Sequence, residues 1–186
     1  MLLGKSIDTL SSFPTAVRQF LLRSLLLFIV WQTSYLLWLA PSRTIDRPLT
    51  LHTGHCGAKL LQYCIPNTPI VCKESMPVIT KAYYQQGAIH LWAGARRLVG
   101  LADACNALGL YMLYAGFLLA YPASKKRMML FWVIGWLSIF CLNVVRVMAL
   151  AWIQYHWPEM SIYAHHWLFN TVVYLFIFYQ WWRYCR

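Results

Sequence analysis

Apolar and polar positions alternate on a coarse scale along this chain: four long apolar stretches are separated by polar segments of unequal size. Phe20 to Leu39 is the first, rich in Trp and Tyr toward its end and closed by Ala40-Pro41. The second runs from Leu98 to Tyr121, with Asp103 as its only formal charge. Met128 to Ile153 is the third, interrupted in polarity by Ser138, Asn143 and Arg146, and the fourth extends from Ile162 to Trp182 with aromatic residues at both ends. Each is about the length a helix needs to cross a hydrocarbon core, and aromatic belts belong at its two edges. The pattern predicts an all-α integral membrane protein: one domain over residues 1–186, built as a bundle of about four transmembrane helices with spans near 20–39, 98–121, 128–153 and 162–182. The first stretch is longer than a signal-peptide core and no A-x-A site follows it, so it reads as a retained span.

Residues 41–97 are the least hydrophobic part and form one large segment outside the bilayer. Within it, Gly57 to Cys64 fits a short interfacial helix, with Leu60, Leu61 and Tyr63 beside Lys59 and Gln62. Ala88 to Trp92 and Arg97 to Val99 flank Ala93-Gly94-Ala95-Arg96, which predicts a short hairpin leading into the second span.

Composition sharpens this picture. Hydrophobic residues make up 60% of the chain and charged residues 11%, against about a quarter charged in an ordinary soluble domain. The formal charge of +11 comes from basic residues placed singly between apolar runs, which excludes a nucleic-acid stripe and fits headgroup contact with a lipid bilayer. Lys5, Arg18 and Arg23, the Lys125 to Arg127 turn, and Arg183 with Arg186 fall on one side of a four-span bundle. That side is predicted to be cytoplasmic, with both termini, and 41–97 extracytoplasmic. The six cysteines show no CxxC or Cys/His zinc spacing, so neither a metal nor another cofactor is expected.

With this topology Cys105, Arg146 and His165 share one depth, roughly 5 to 11 Å from the outer surface at 1.5 Å per residue. Arg146 is the strongest signal, because an arginine within an apolar helix costs a few kcal/mol and usually faces the bundle interior with a partner. Asn143 lies one turn before it on the same face. A fixed cation beside Cys105 would favour the thiolate, the nucleophilic form of cysteine. Adjacent histidines point about 100° apart on a helix, so either His165 or His166 faces that site, with His90 and His156 as rivals on the same side. Blander readings stand beside these: a snorkelling arginine, a small buried thiol, and an interfacial histidine. On those readings the chain is a non-catalytic membrane scaffold.

Taken in order, Ala-Cys-Asn-Ala-Leu around Cys105, Asn-Val-Val-Arg-Val around Arg146 and His-His-Trp-Leu-Phe-Asn from His165 resemble the three motifs of the exosortase and archaeosortase family. The likeness covers roughly residues 85 to 182. Members are bacterial and archaeal membrane cysteine proteases or transpeptidases that process C-terminal sorting signals. The resemblance implies Cys105 as nucleophile, Arg146 as the essential arginine and a histidine of the last motif as proton carrier, with Asn106, Asn143 and His166 as supporting or alternative residues. That histidine is commonly followed by an acid in the family, and here the pair is His165-His166. Many members have about eight spans, so this chain is similar to a short, core-only form. The implied partners are the C-terminal transmembrane tails of secreted proteins and a glycan or lipid acceptor at the surface. The implied location is the bacterial cytoplasmic membrane, with the active site facing outward. A rival from another class is a quinone-linked thiol oxidoreductase using Cys56, Cys64 and Cys72, although the close cysteine pair of such sites is absent; a Cys64 to Cys72 staple is the structural reading of the same residues.

Overall fold

A computed structural model of the chain describes residues 14–79 and 85–186, with the side chains of all of these except 76–79, 85–87 and 166. Lys5, counted above among the inner cations, lies outside the described residues. Helix α1 (Thr15–Ser34) begins after Pro14 and runs on through a π-turn at Tyr35–Leu39 and a last turn at Ala40–Ser42. The π-turn has a local cause: the ring of Pro41 would collide with the carbonyl four residues back, and widening the preceding turn relieves the clash. Arg43 then ends the helix in a left-handed conformation (φ 51°), its N–H donating to the Leu39 carbonyl at 2.9 Å.

Helix α2 (Asp46–Cys64) follows, and its last two turns are the Gly57 to Cys64 stretch expected as a short helix. Strands β1 (Ile70–Ile79), β2 (Gln85–Ala93) and β3 (Arg96–Ala102) form an antiparallel sheet in the order β1-β2-β3. The β2–β3 pairing is the expected hairpin. Its register closes at Ala93 opposite Arg96, and Gly94 (φ 57°) supplies the first central position of a two-residue turn. Ile89, Leu91 and Ala93 alternate onto one face and pack with Leu61, Leu101, Val147 and Ala151 in one core.

The sheet corrects the all-helical expectation and the second span. Residues 98–102, read as the first turns of a membrane helix, are strand β3; Asp103–Cys105 form a single 3₁₀ turn, and helix α3 (Leu108–Ala120) starts only afterwards. A short apolar run is compatible with strand or helix, and here the antiparallel partner β2 decides. At 13 residues α3 is about 20 Å long, short of the roughly 30 Å of a hydrocarbon core.

Helix α4 (Lys125–His156) is capped by Ser124, whose hydroxyl accepts from the Arg127 N–H. It ends where Trp157, pushed out of helical geometry by Pro158, turns the chain. Arg96 at the start of β3 donates to the carbonyls of Gln154 and Tyr155 at 3.1 and 3.2 Å, so the sheet closes the carbonyl end of α4. Helix α5 (Phe169–Cys185) is led by one turn at Ser161–Tyr163 and a second π-turn at Ala164–Leu168. Tyr114 fastens α3, α4 and α5 together, its hydroxyl donating to the Phe131 carbonyl while lying 2.9 Å from Gln180 Oε1. Gly135 admits that ring, since a Cβ there would fall 2.0 Å from it.

Among the described residues two helices are long and apolar enough to cross a bilayer, Thr15–Ser42 and Lys125–His156. The count of four spans is therefore not reproduced. Leu22, Leu25, Leu26, Phe28 and Val30 of α1 are all exposed, an apolar surface suited to lipid rather than water.

Candidate functional site

Helix α4 carries both halves of the core. Its C-terminal turns (Val147, Ala151) pack with α2 and the sheet, while Ile139 packs with α3 and α5. Asn143 and Arg146 lie along α4 between Ile139 of one cluster and Val147 of the other. There Arg146, Asn143 and Ile139 line a cleft with Ala107 and Leu110 of the α3 end and Asn170, Val173 and Tyr174 of α5. An arginine at this point meets an open cleft shared with Asn143 and Asn170 instead of a closed apolar layer, which lowers the cost of placing it in the helix.

Arg146 Nη2 lies 3.4 Å from His165 Nε2. Guanidinium only donates, so this contact is a hydrogen bond when Nε2 is the accepting nitrogen of a neutral imidazole. His165 sits in the second π-turn, which shifts the phase of the helix at that position. Asn143, one turn before Arg146 on the same helix, donates from Nδ2 to the backbone carbonyl of Cys105 at 3.4 Å. The structure thus brings the 3₁₀ turn bearing Cys105, the Asn143–Arg146 face and the His165 turn to one place. Cys105 itself is partly buried against the core cluster of α2 and the sheet. The side chain of His166 lies outside those described. The rivals are elsewhere: His90 is in β2 beside Gly100 and Arg97, where burial and then the nearby Arg97 charge hold its pKa below the ordinary value, and His156 packs among Trp152, Tyr155 and Trp157.

Asp103, the lone formal charge of the second apolar stretch, is buried in the 3₁₀ turn that ends at Cys105. Arg43 Nε donates to Asp103 Oδ2 at 2.7 Å and Nη2 to Oδ1 at 3.4 Å, and Thr50 Oγ1 donates to Oδ1 at 2.8 Å. Asn106, expected as a supporting polar residue, is 1% exposed. Its Nδ2 donates to Asp46 Oδ1 at 2.8 Å, and its Oδ1 accepts from the Leu108 N–H at 2.8 Å, capping α3. Asp46 accepts a further hydrogen bond from Tyr35, and burial holds its carboxyl above the usual range. Arg43, Asp46, Thr50 and Tyr35 were missed in the sequence, because their partners lie up to 60 positions away. The one available signal was Asp103: a lone acid in an apolar stretch requires a cation, and the cationic end of the first span is Arg43.

All six cysteines are free. The expected Cys64 to Cys72 staple is therefore not formed; Cys64 is exposed, and burial pushes the Cys72 thiol up to about 11. No group of three or more potential metal ligands occurs among the described residues.

The family model described as a transmembrane exosortase matches residues 10–182. No curated protein and no solved structure matches the chain.

Proposed function

Because that match spans nearly its whole length, the chain belongs to the transmembrane exosortase family of sorting transpeptidases, and from this premise we propose a membrane-embedded cysteine endopeptidase or transpeptidase acting on C-terminal sorting signals of secreted proteins. Cys105 is its nucleophile, His165 its proton carrier and Arg146 its stabilising cation. The observation that carries the reading is the Arg146–His165 contact beside a cleft lined by Arg146 and Asn143, with Asn143 also donating to the Cys105 carbonyl.

The chemistry follows from these groups. His165 in neutral form takes the thiol proton, and the Cys105 sulfur attacks the scissile carbonyl carbon. Once protonated, Nε2 no longer accepts from Arg146, which frees the guanidinium to donate to the oxyanion of the tetrahedral intermediate. The imidazolium then gives its proton to the leaving amine, the C–N bond breaks, and a thioester remains on Cys105. Water, or an amine or hydroxyl of a surface glycan or lipid, gives its proton to His165 and attacks the thioester carbonyl; the C–S bond breaks, and the Cys105 sulfur takes that proton back as product departs.

Helix lengths support an outward-facing site. Measured from Arg127 along α4, Arg146 is roughly 28 Å away, and Arg183 and His165 are roughly 27 Å apart along α5, at 1.5 Å per residue. A basic end on the cytoplasmic side thus puts both near the far edge of a hydrocarbon core about 30 Å thick. On this reading the protein is multi-pass in the bacterial cytoplasmic membrane, and the substrate's apolar span lies along the bundle while its motif enters the cleft.

Co-expression with a secreted protein bearing a motif, apolar span and basic tail tests the assignment. Cys105→Ala abolishes the mass shift of processing and leaves membrane insertion intact. Processing that continues in Cys105→Ala overturns it.

A further inference from the structure

Cys105 sits on a segment with little capacity to hold itself. Its 3₁₀ turn contains three residues, and the Asn106 N–H to Asp103 carbonyl contact at 3.2 Å is the turn's own hydrogen bond. One such bond does not fix a turn in water or lipid, because it orders several dihedrals for a single contact. The order must come from outside the turn.

It comes from both flanks. Two residues before Cys105, Asp103 is held by Arg43 and Thr50; one residue after, Asn106 is held by Asp46 and Thr50. Thr50 joins the two halves, donating to Asp103 Oδ1 at 2.8 Å and receiving Asn106 Nδ2 at 3.3 Å. Tyr35 extends the chain of contacts to α1 through Asp46. Asp46, Thr50, Asp103 and Asn106 are each at most 5% exposed.

Stability alone does not account for this arrangement. Burying an arginine and two carboxylates exacts desolvation that well-packed apolar residues avoid. The backbone carries strain here as well. Arg43 and Ala107, both in left-handed conformations (φ 51° and 69°), are the two non-glycine residues of that kind among those described, and they bracket the network. Tyr35 lies in one of the two π-turns and His165 in the other. Left-handed non-glycine residues and π-turns persist where surrounding contacts over-determine them, commonly at sites held for function.

We propose that Arg43, Asp103, Thr50, Asn106, Asp46 and Tyr35 form a positioning frame that fixes the backbone on either side of Cys105 and so sets the direction in which its thiol meets the cleft. None of the six touches substrate; they act through Cys105. The proposal rests on the catalytic reading of Cys105 given above.

Thr50 is the informative position, because Thr50→Val keeps the shape and removes the hydroxyl, while Thr50→Ser restores it. Two quantities are measured on the full chain in proteoliposomes: kcat and KM for tail processing, and the rate of Cys105 alkylation with the other five cysteines changed to serine. Thr50→Val lowers kcat about tenfold to a hundredfold, as expected for a misplaced reacting group, while KM holds within about twofold. It shifts the Cys105 alkylation rate at least about threefold, and Thr50→Ser returns both readouts toward wild type. Tyr35→Phe, at the far end of the network, gives the same pattern more weakly. A folded Thr50→Val protein with wild-type kcat and alkylation rate overturns the frame, as does a loss that Thr50→Ser fails to repair. Failure of the catalytic reading shows separately, as processing that survives Cys105→Ala; the alkylation comparison then still judges the frame.

Discussion

On one side of Cys105, Arg43 meets Asp103 at 2.7 Å with both side chains more than nine-tenths buried; on the other, Arg146 meets His165 at 3.4 Å, both partly exposed beside a cleft. Each side is built on an arginine that the sequence places at or within an apolar stretch. The first guanidinium is neutralised by a carboxylate, and a threonine fills the remaining lone pair. Its field is spent within the fold. The second has no carboxylate ion pair among the described residues and rests on an imidazole that gives it no opposing charge. Its field remains available to an anion arriving in the cleft. The same side chain thus serves as scaffold in one setting and as reagent in the other, and the difference lies in whether an acid accompanies it.

Breaking the buried side has the largest expected effect. Asp103→Ala leaves the Arg43 guanidinium desolvated and unpaired, and destabilises the protein by about 3–5 kcal/mol in unfolding measurements on detergent-solubilised protein. A change below about 1 kcal/mol would mean that Arg43 reaches water and that the pair is not a structural lock. Breaking the open side acts on rate instead. Arg146→Lys retains a positive charge but loses the planar fork, and tail processing falls about 10²–10³-fold with the unfolding midpoint preserved. Unchanged turnover removes Arg146 from the site.

Cysteine reactivity sharpens the comparison further. The Cys72 thiol, partly buried beside Gly54 of α2, is pushed up to about 11 by desolvation, so about one thousandth of it is thiolate at pH 8. Its alkylation, followed by mass spectrometry of its peptide, therefore lags at neutral pH and accelerates as pH approaches 11. Rapid labelling of Cys72 at pH 7 would show that this thiol is not desolvated. Against that inert standard, the Cys105 rate isolates what the neighbouring groups add.

Some of this was legible along the chain. Three of the apolar stretches fell on the helices α1, α4 and α5, with ends displaced by up to seven residues, because a run of that length and apolarity favours a helix. The Ala93 to Arg96 turn was legible because a glycine between two β-rich runs leaves few alternatives. Arg146 and His165 were expected at one level and do meet. The start of α3 was not legible: Leu98 to Ala102 are as apolar as a helix would require, and they become strand only because β2 lies beside them. Nor was the role of Asp103, which depends on a cation 60 residues earlier.

What the sequence by itself determined is where the chain is too apolar for water and which few polar residues are placed against that tendency, since transfer free energy is a property of each residue and sums locally. What only the tertiary structure decided is which of those polar residues neutralise one another and which keep their charge for a substrate. Coulombic and hydrogen-bonding partners act over a few ångströms, and the fold alone determines which distant residues come within them.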